Sequence, residues 1–391
     1  MKNKSEVIQP RILLFVDWFS PGFKGGGLIT ACKNLVEQLD REFRFFIITS
    51  DRDFQDNEPY KDIKRGSPVK YSEGTTIFYL PSHSLNRKKI IQLLSDIKPD
   101  IIYFNSLFSY RFSILPLLSV FYFNRFKGLV ILAPRGMLQQ GAMQNKWLKK
   151  MLYIRLFRWS GLARKLLFQA TDSTERKDIL IHFGSNSRVE LVEDIPGRIP
   201  ESFRSTQKQS GLLRCLYLSR ISPKKNLEFL LNLPLEVKSG FRIILDIYGE
   251  PENPEYGNWC RELSEPLRQK GVDISWVGYI TPEEVLETIR KYHLFILPTR
   301  GENFGHAIFE SLSAGRPVLI SDQTPWENLE TAKAGWALSL SDPLPWVEKI
   351  NEAADWDQDS FDAWCRGALD YARAHTHTEE LVEKYKEMFG G

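Results

Sequence analysis

The chain has 391 residues, 42% of them hydrophobic and 26% charged, which excludes a fibrous or disordered protein and predicts two or three domains rather than one core. Its four cysteines, Cys32, Cys215, Cys260 and Cys365, are widely spaced and form no CxxC pair, so neither a zinc site nor a disulfide framework is expected, and a cytoplasmic setting fits. The net charge of +3 hides a division, because residues 1–200 carry 31 Lys and Arg against 19 Asp and Glu, whereas residues 201–391 carry 21 against 30.

The first apolar run, Ile12 to Val16, stops at Asp17; it is too short for a signal peptide and reads as a β-strand. Trp18-Phe-Ser-Pro-Gly-Phe-Lys-Gly-Gly-Gly27 follows, and then Leu28, Ala31, Leu35 and Leu39 at helical spacing. Glycines at a helix N-terminus let backbone N–H groups approach a phosphate, which makes Gly26 and Gly27 candidates. A tight turn is the plainer alternative for an isolated glycine cluster. GxGxxG is absent, which disfavours a nicotinamide or flavin enzyme.

Further strands are predicted near 45–49, 76–80, 100–104, 129–133, 166–169 and 190–192, alternating with helical stretches in the βαβ manner of a parallel sheet. Asp51-Arg-Asp53 is nominally a metal-binding DxD. Its place after a strand of the first half predicts a loop or acceptor-side role instead, with no metal bound. The longest apolar stretch, Ser113 to Phe123, contains Pro116 and falls well short of the roughly 20 residues a membrane-spanning helix needs.

Between Asp100 and Asp172 there is no carboxylate, while Arg111, Arg125, Lys127, Arg135, Lys146, Lys149, Lys150, Arg155, Arg158, Arg164 and Lys165 fall inside. Such a segment attracts anions. Within it Leu148, Leu152, Leu156 and Trp159 interleave with Lys149, Lys150, Arg155 and Arg158. That composition suits a helix resting on anionic lipid, and it predicts peripheral membrane contact through residues 101–171. The basic face of an ordinary helix is the alternative.

Residues 196–211 are polar with Pro and Gly and read as a linker. The domains are therefore expected at 1–196 and 197–375, both Rossmann-like and facing a cleft, with 376–391 a helix packing back on the first. Second-half strands are predicted near 213–218, 242–248, 273–277, 293–297, 317–320 and 335–338. In such α/β sheets ligands bind beyond the carboxyl ends of strands. Arg220 and Lys225 follow the first of these strands across a Pro-bearing turn, where both cations can converge on a diphosphate. Pro298-Thr-Arg-Gly-Glu302-Asn-Phe-Gly305-His-Ala-Ile-Phe-Glu310 follows the fourth. Glu302 sits on the loop there. Glu310 sits inside an apolar helix, where an ionised carboxylate needs partners such as ligand hydroxyls.

Glu302-x7-Glu310, Ala314-Gly315-Arg-Pro317, Arg220-x4-Lys225 and Gly26-Gly27, in this order along almost the whole chain, resemble family 4 of the retaining glycosyltransferases. That family has the GT-B fold, two Rossmann-like domains facing each other across a cleft. Ser20-Pro-Gly-Phe-Lys-Gly-Gly-Gly27, Pro134-Arg-Gly-Met-Leu138 and Trp147-Leu-Lys-Lys150 are similar to bacterial enzymes of exopolysaccharide, capsule or lipopolysaccharide synthesis.

The resemblance implies a nucleotide-sugar donor, a glycan or polyprenyl-diphosphate-linked acceptor, and no cofactor or metal. Catalysis would rest on Glu302, Arg220 and Lys225. Glu302 would contact the donor sugar and Glu310 the ribose, with Asn303, Phe304, Gly305 and His306 lining sugar and diphosphate. Arg220 and Lys225 would hold the diphosphate, Gly26 and Gly27 would close over it, and the base would lie near Gly249, Tyr279 and Ile280. Departures are Asn226 where many relatives have Gly, Glu250 after Gly249, Asp194-Ile-Pro-Gly-Arg in place of a Pro-Asn-Gly turn, and Arg135 where many have a sugar-facing His. A non-catalytic GT-B subunit binding glycan or lipid is the competing reading. Nucleic acid is disfavoured, since no binding module accompanies the basic half.

Overall fold

The computed structural model describes residues 9–390 apart from 125, 140, 141 and 144–146; Arg125 and Lys146 of the basic stretch lie outside the described residues. The chain forms two units, one of Met1–Ile195 with Thr378–Gly391 and the other of Pro196–His377.

The first unit holds β1 (Arg11–Phe15), β2 (Arg44–Ser50), β3 (Pro68–Lys70), β4 (Thr75–Leu80), β5 (Ile101–Phe104), β6 (Leu129–Leu132), β7 (Leu167–Ala170) and β8 (Arg188–Leu191). Their order in the sheet is β3-β4-β2-β1-β5-β6-β7-β8. The central strands read as unbroken apolar runs because both faces of a parallel sheet are covered, and all four residues of β5 are buried. On one face Leu13, Phe15, Ile102 and Phe104 pack with Ile154 and Phe157 of the helix Trp147–Trp159. On the other, Ile12, Leu14 and Tyr103 pack with Leu35 of the helix Gly27–Leu39 and with Tyr385 and Phe389 of the helix Thr378–Gly390. The Phe389 ring lies 5.4 Å from Phe43 and 5.6 Å from Tyr103, so the end of the chain completes the first unit's core.

The second unit holds β9 (Leu212–Leu218), β10 (Arg242–Tyr248), β11 (Val272–Gly278), β12 (Leu294–Leu297), β13 (Val318–Ser321) and β14 (Gly335–Leu338), ordered β11-β10-β9-β12-β13-β14 and all parallel. Arg316 is fully buried here, its guanidinium donating to the Arg290 carbonyl and the Thr206 hydroxyl, each at 2.7 Å. Lys208 is buried too, its ammonium donating to the carbonyls of Ala354 and Trp356. Much of the expected linker is therefore docked on the second unit. Two features escape the sequence pattern. β3 is a three-residue strand antiparallel to β4, and the apolar stretch around Pro116 forms two π-helical turns, Tyr110–Ile114 and Ser119–Asn124, flanking Leu115–Leu118. Among the described residues no helix is long and apolar enough to cross a membrane.

Candidate functional site

The second unit's candidates gather at the carboxyl ends of four adjacent strands. Arg220 follows β9, Gly249 follows β10, Tyr279 and Ile280 follow β11, and residues 298–305 follow β12. Gly249 has φ +129°, and a Cβ there would stand 1.9 Å from the Ser219 carbonyl, so only glycine lets the β9 and β10 loops close up. A bridge between Ile221 and Pro251 extends that contact. It brings Glu252 to Arg220, whose Nη1 lies 2.5 Å from its Oε1.

Three hydrogen bonds suture the loop after β9 to the loop after β12. The Arg300 amide donates to the Lys224 carbonyl at 2.8 Å, the Thr299 hydroxyl donates to the same carbonyl at 3.2 Å, and the Asn226 side-chain amide donates to the Pro298 carbonyl at 2.9 Å. Asn226 adopts φ +59°, a left-handed conformation that Asn tolerates, and its side chain ties the loop as no glycine could. The suture sets Lys225 Nζ 2.5 Å from Glu302 Oε1, with the two side chains 17% and 10% exposed. Burial raises the Glu302 carboxyl, but Lys225 and Lys224 outweigh it and hold the group below the usual range.

Gly305, at φ +82°, turns the chain into the helix His306–Ser313. The Trp326 indole donates to the Phe304 carbonyl at 2.6 Å and fixes that turn. Asn303, Phe304 and His306 border it, all partly exposed. Glu310 lies on the same helix, half-buried, and burial pushes its carboxyl up to about 7 while His306 pulls the other way. An amide-rich helix start and two carboxylates of opposite bias, one held ionised and one poised to titrate, thus share a short segment.

Gly26, Gly27 and Arg135 belong to the first unit. Gly26 has φ +69° and precedes the helix Gly27–Leu39, which has no capping side chain and no acidic residue in its first turn. The preceding loop is clamped by Asp53. Its Oδ2 accepts from the amides of Phe23 at 2.8 Å and Lys24 at 3.1 Å, and its Oδ1 accepts from the Phe54 amide at 2.7 Å. Asp53 is therefore engaged by backbone donors. Among the described residues no group of three or more His, Cys, Asp or Glu side chains could hold a metal ion.

Arg135 is not displayed as a free cation for a donor sugar. Its Nε donates to Asn105 at 2.9 Å, its Nη2 to the Tyr103 hydroxyl at 2.9 Å, and its Nη1 pairs with Asp194. Although burial opposes its charge, Asp194 holds it protonated. The two departures at 135 and 194 are thus one feature, an ion pair across the first unit's sheet. Sequence reasoning misses this pair, the Asp53 clamp and the Arg220 partner Glu252. The readable signal for each was a charged residue just past a predicted strand, without the register that names its partner.

Comparison with known proteins follows these boundaries. Residues 213–355, all in the second unit, match the family described as Glycosyl transferases group 1. The O-antigen chain mannosyltransferase B of Escherichia coli is 28% identical over 116 residues, 28% of this chain and 28% of that protein. The putative glycosyltransferase EpsF of Bacillus subtilis is 32% identical over 109 residues, 27% and 26% of the two chains. The chain thus spans little more than a quarter of the length of these curated relatives. In structure, HepE of Anabaena in complex with UDP and glucose superposes with a TM-score of 0.65 at 13% identity, covering 98% of this chain and 100% of that one. Residues 213–355 thus match the glycosyl transferases group 1, and the chain is similar to family 4-like glycosyltransferases and has the two-domain GT-B fold.

Proposed function

We propose that the protein transfers a sugar from a UDP- or GDP-sugar to a glycan or polyprenyl-diphosphate-linked acceptor in cell-surface polysaccharide synthesis, with retention at the anomeric carbon and without a metal or cofactor, working on the cytoplasmic face of an anionic membrane. The carrying observation is the Lys225–Glu302 pair, held at the carboxyl rim of the group 1 domain by three loop-to-loop hydrogen bonds. Support comes also from HepE, a GT-B protein whose complex contains UDP and glucose.

A diphosphate entering this rim offers Lys225 and Arg220 a stronger anion than their resting carboxylates, and Glu302, kept ionised, is left to accept hydrogen bonds from sugar hydroxyls. Ribose hydroxyls would donate to Glu310, and the amides from Asn303 to His306 would face the phosphates. In the reaction the bond from the anomeric carbon to the phosphate oxygen breaks with its electron pair moving to the phosphate. The acceptor oxygen bonds to the same face of that carbon and passes its proton to the departing phosphate. Stabilising that developing charge is the largest contribution, worth on the order of 10²-fold in rate for each lost cation.

The test is calorimetric titration with UDP and GDP in EDTA, followed by donor hydrolysis over a panel of sugar nucleotides. One nucleotide should bind without divalent ions, and its sugar conjugate should be turned over. If neither nucleotide binds, the reading fails.

A further inference from the structure

The helix Trp147–Trp159 has two apolar faces, and the fold uses one. Ile154 and Phe157 are buried, with the Phe157 ring 5.4 Å from Phe183, and Tyr153 lies 5.8 Å from Phe108. On the opposite side Leu148 is 73%, Leu152 59%, Leu156 56% and Trp159 91% exposed. Their spacing of four, four and three residues places all four within an arc of about 80° at 3.6 residues per turn. Arg155 borders that arc on one side and Lys149 on the other, both exposed, and exposed Arg158 lies beyond Arg155. An amphipathic surface helix needs a single apolar stripe turned to its core and a polar face turned to water. Four large apolar side chains in one outward stripe are a surface awaiting cover.

The charge around the stripe selects what covers it. No carboxylate occurs from residue 101 to residue 171, so the cover must be apolar at its centre and negative at its rim. A second copy of the chain would set Lys149, Arg155 and Arg158 against their own counterparts, which repel. A bilayer containing acidic phospholipid meets both demands, with acyl chains for the leucines and phosphates for the flanking cations. Trp159, the most exposed of the set, is a residue type that settles at the headgroup level.

We infer that the helix Trp147–Trp159 lies in the plane of an anionic bilayer, with Leu148, Leu152, Leu156 and Trp159 inserted and Lys149, Arg155 and Arg158 on lipid phosphates. This deepens the proposed function by reducing a basic stretch of seventy-odd residues to one stripe of one helix. Lys150 is excluded from it, because its ammonium donates to the Ala142 carbonyl at 2.6 Å. Arg135 is excluded because it is buried against Asp194. The inference uses no residue of the donor site, so either can fail alone.

The test is flotation of the full chain with vesicles of phosphatidylcholine, with and without phosphatidylglycerol, at low and high salt, using wild type, L152S/L156S and K149E/R155E. The substituted side chains are exposed, and UDP and GDP titration reports whether each variant keeps its donor site. Wild type should float with the phosphatidylglycerol vesicles alone. L152S/L156S should lose at least about tenfold in partitioning at either salt, since each leucine withdrawn forfeits its apolar burial among acyl chains. K149E/R155E should lose binding most at low salt, where the Debye length is long. Equal flotation with neutral vesicles, or no effect of L152S/L156S, overturns the inference. So does a wild-type dimer that L152S/L156S abolishes in sedimentation, which would identify a second copy as the cover.

Discussion

Two ion pairs of like chemistry sit in the two halves of the molecule, and their surroundings separate them. Arg135 and Asp194 lie in a web that runs from Arg135 to Asn105 and Tyr103, from Tyr103 to Gln169, and from Gln169 to the Val192 carbonyl and the Tyr385 hydroxyl. That web ties the segment leaving the first unit after β8 and the helix returning to it to one sheet. Lys225 and Glu302 also touch, but they stand on loops at a strand-end rim, and among the described residues Glu302 is the one hydrogen-bond partner of the Lys225 ammonium. An ammonium has three donors, so this pair has capacity left for a ligand, whereas the guanidinium of Arg135 is distributed among protein acceptors. The difference makes the first pair structural and, under the proposed function, leaves the second to exchange with a substrate.

The sharpest way to break that distinction is to remove each cation. Arg135→Met should cost the first unit about 3–5 kcal/mol, the price of an uncompensated buried partner, read as an earlier transition in chemical denaturation. Adding Asp194→Leu should restore most of the loss. Lys225→Met should cost less in stability and about 10²-fold in turnover, read from initial rates on the donor that calorimetry identifies. Equal stability losses for the two variants would erase the contrast. Asp53→Ala, which strips acceptors from three backbone amides, should cost about 1–3 kcal/mol and weaken donor affinity, with EDTA changing nothing in wild type or variant. Metal-dependent rescue would instead make Asp51 and Asp53 ligands.

The strands were legible because a covered parallel sheet writes itself as short apolar runs. β5, β12 and β13 are buried at every position, and no other pattern satisfies both faces. β3 was not legible, because three residues starting with Pro68 carry no period. The site was legible as a set of positions past strand ends and illegible as a set of contacts. Lys225 and Glu302 meet only because β9 lies beside β12 in the sheet and three loop hydrogen bonds fix the approach, and neither fact has a local signature. Arg135 shows the same limit from the other side. Its position after β6 was readable, but the partner that consumes its charge lies 59 residues on, in a segment whose own departure from the family pattern gave no sign of the pairing.

The two carboxylates of the rim permit a finer comparison. Lys225 and Lys224 hold Glu302 ionised, whereas Glu310 is raised by burial to about 7. A carboxyl whose folded value exceeds its unfolded one binds its proton more tightly when folded. Its stabilising effect is whole below the ordinary glutamate range and is lost as pH climbs through about 7. Glu310→Gln, neutral throughout, should therefore match wild type in stability in acid and exceed it above pH 7 by on the order of 1–3 kcal/mol, read from melting temperatures across pH. Donor binding should run oppositely, because under the proposed function ribose hydroxyls would donate to the ionised form. Wild-type affinity should rise as pH passes through 7, with a proton released on binding that buffers of different ionisation enthalpy reveal, while the variant binds weakly and evenly across that range. Parallel pH profiles for wild type and variant would place Glu310 outside the donor site and leave Glu302 as the rim's one working carboxylate.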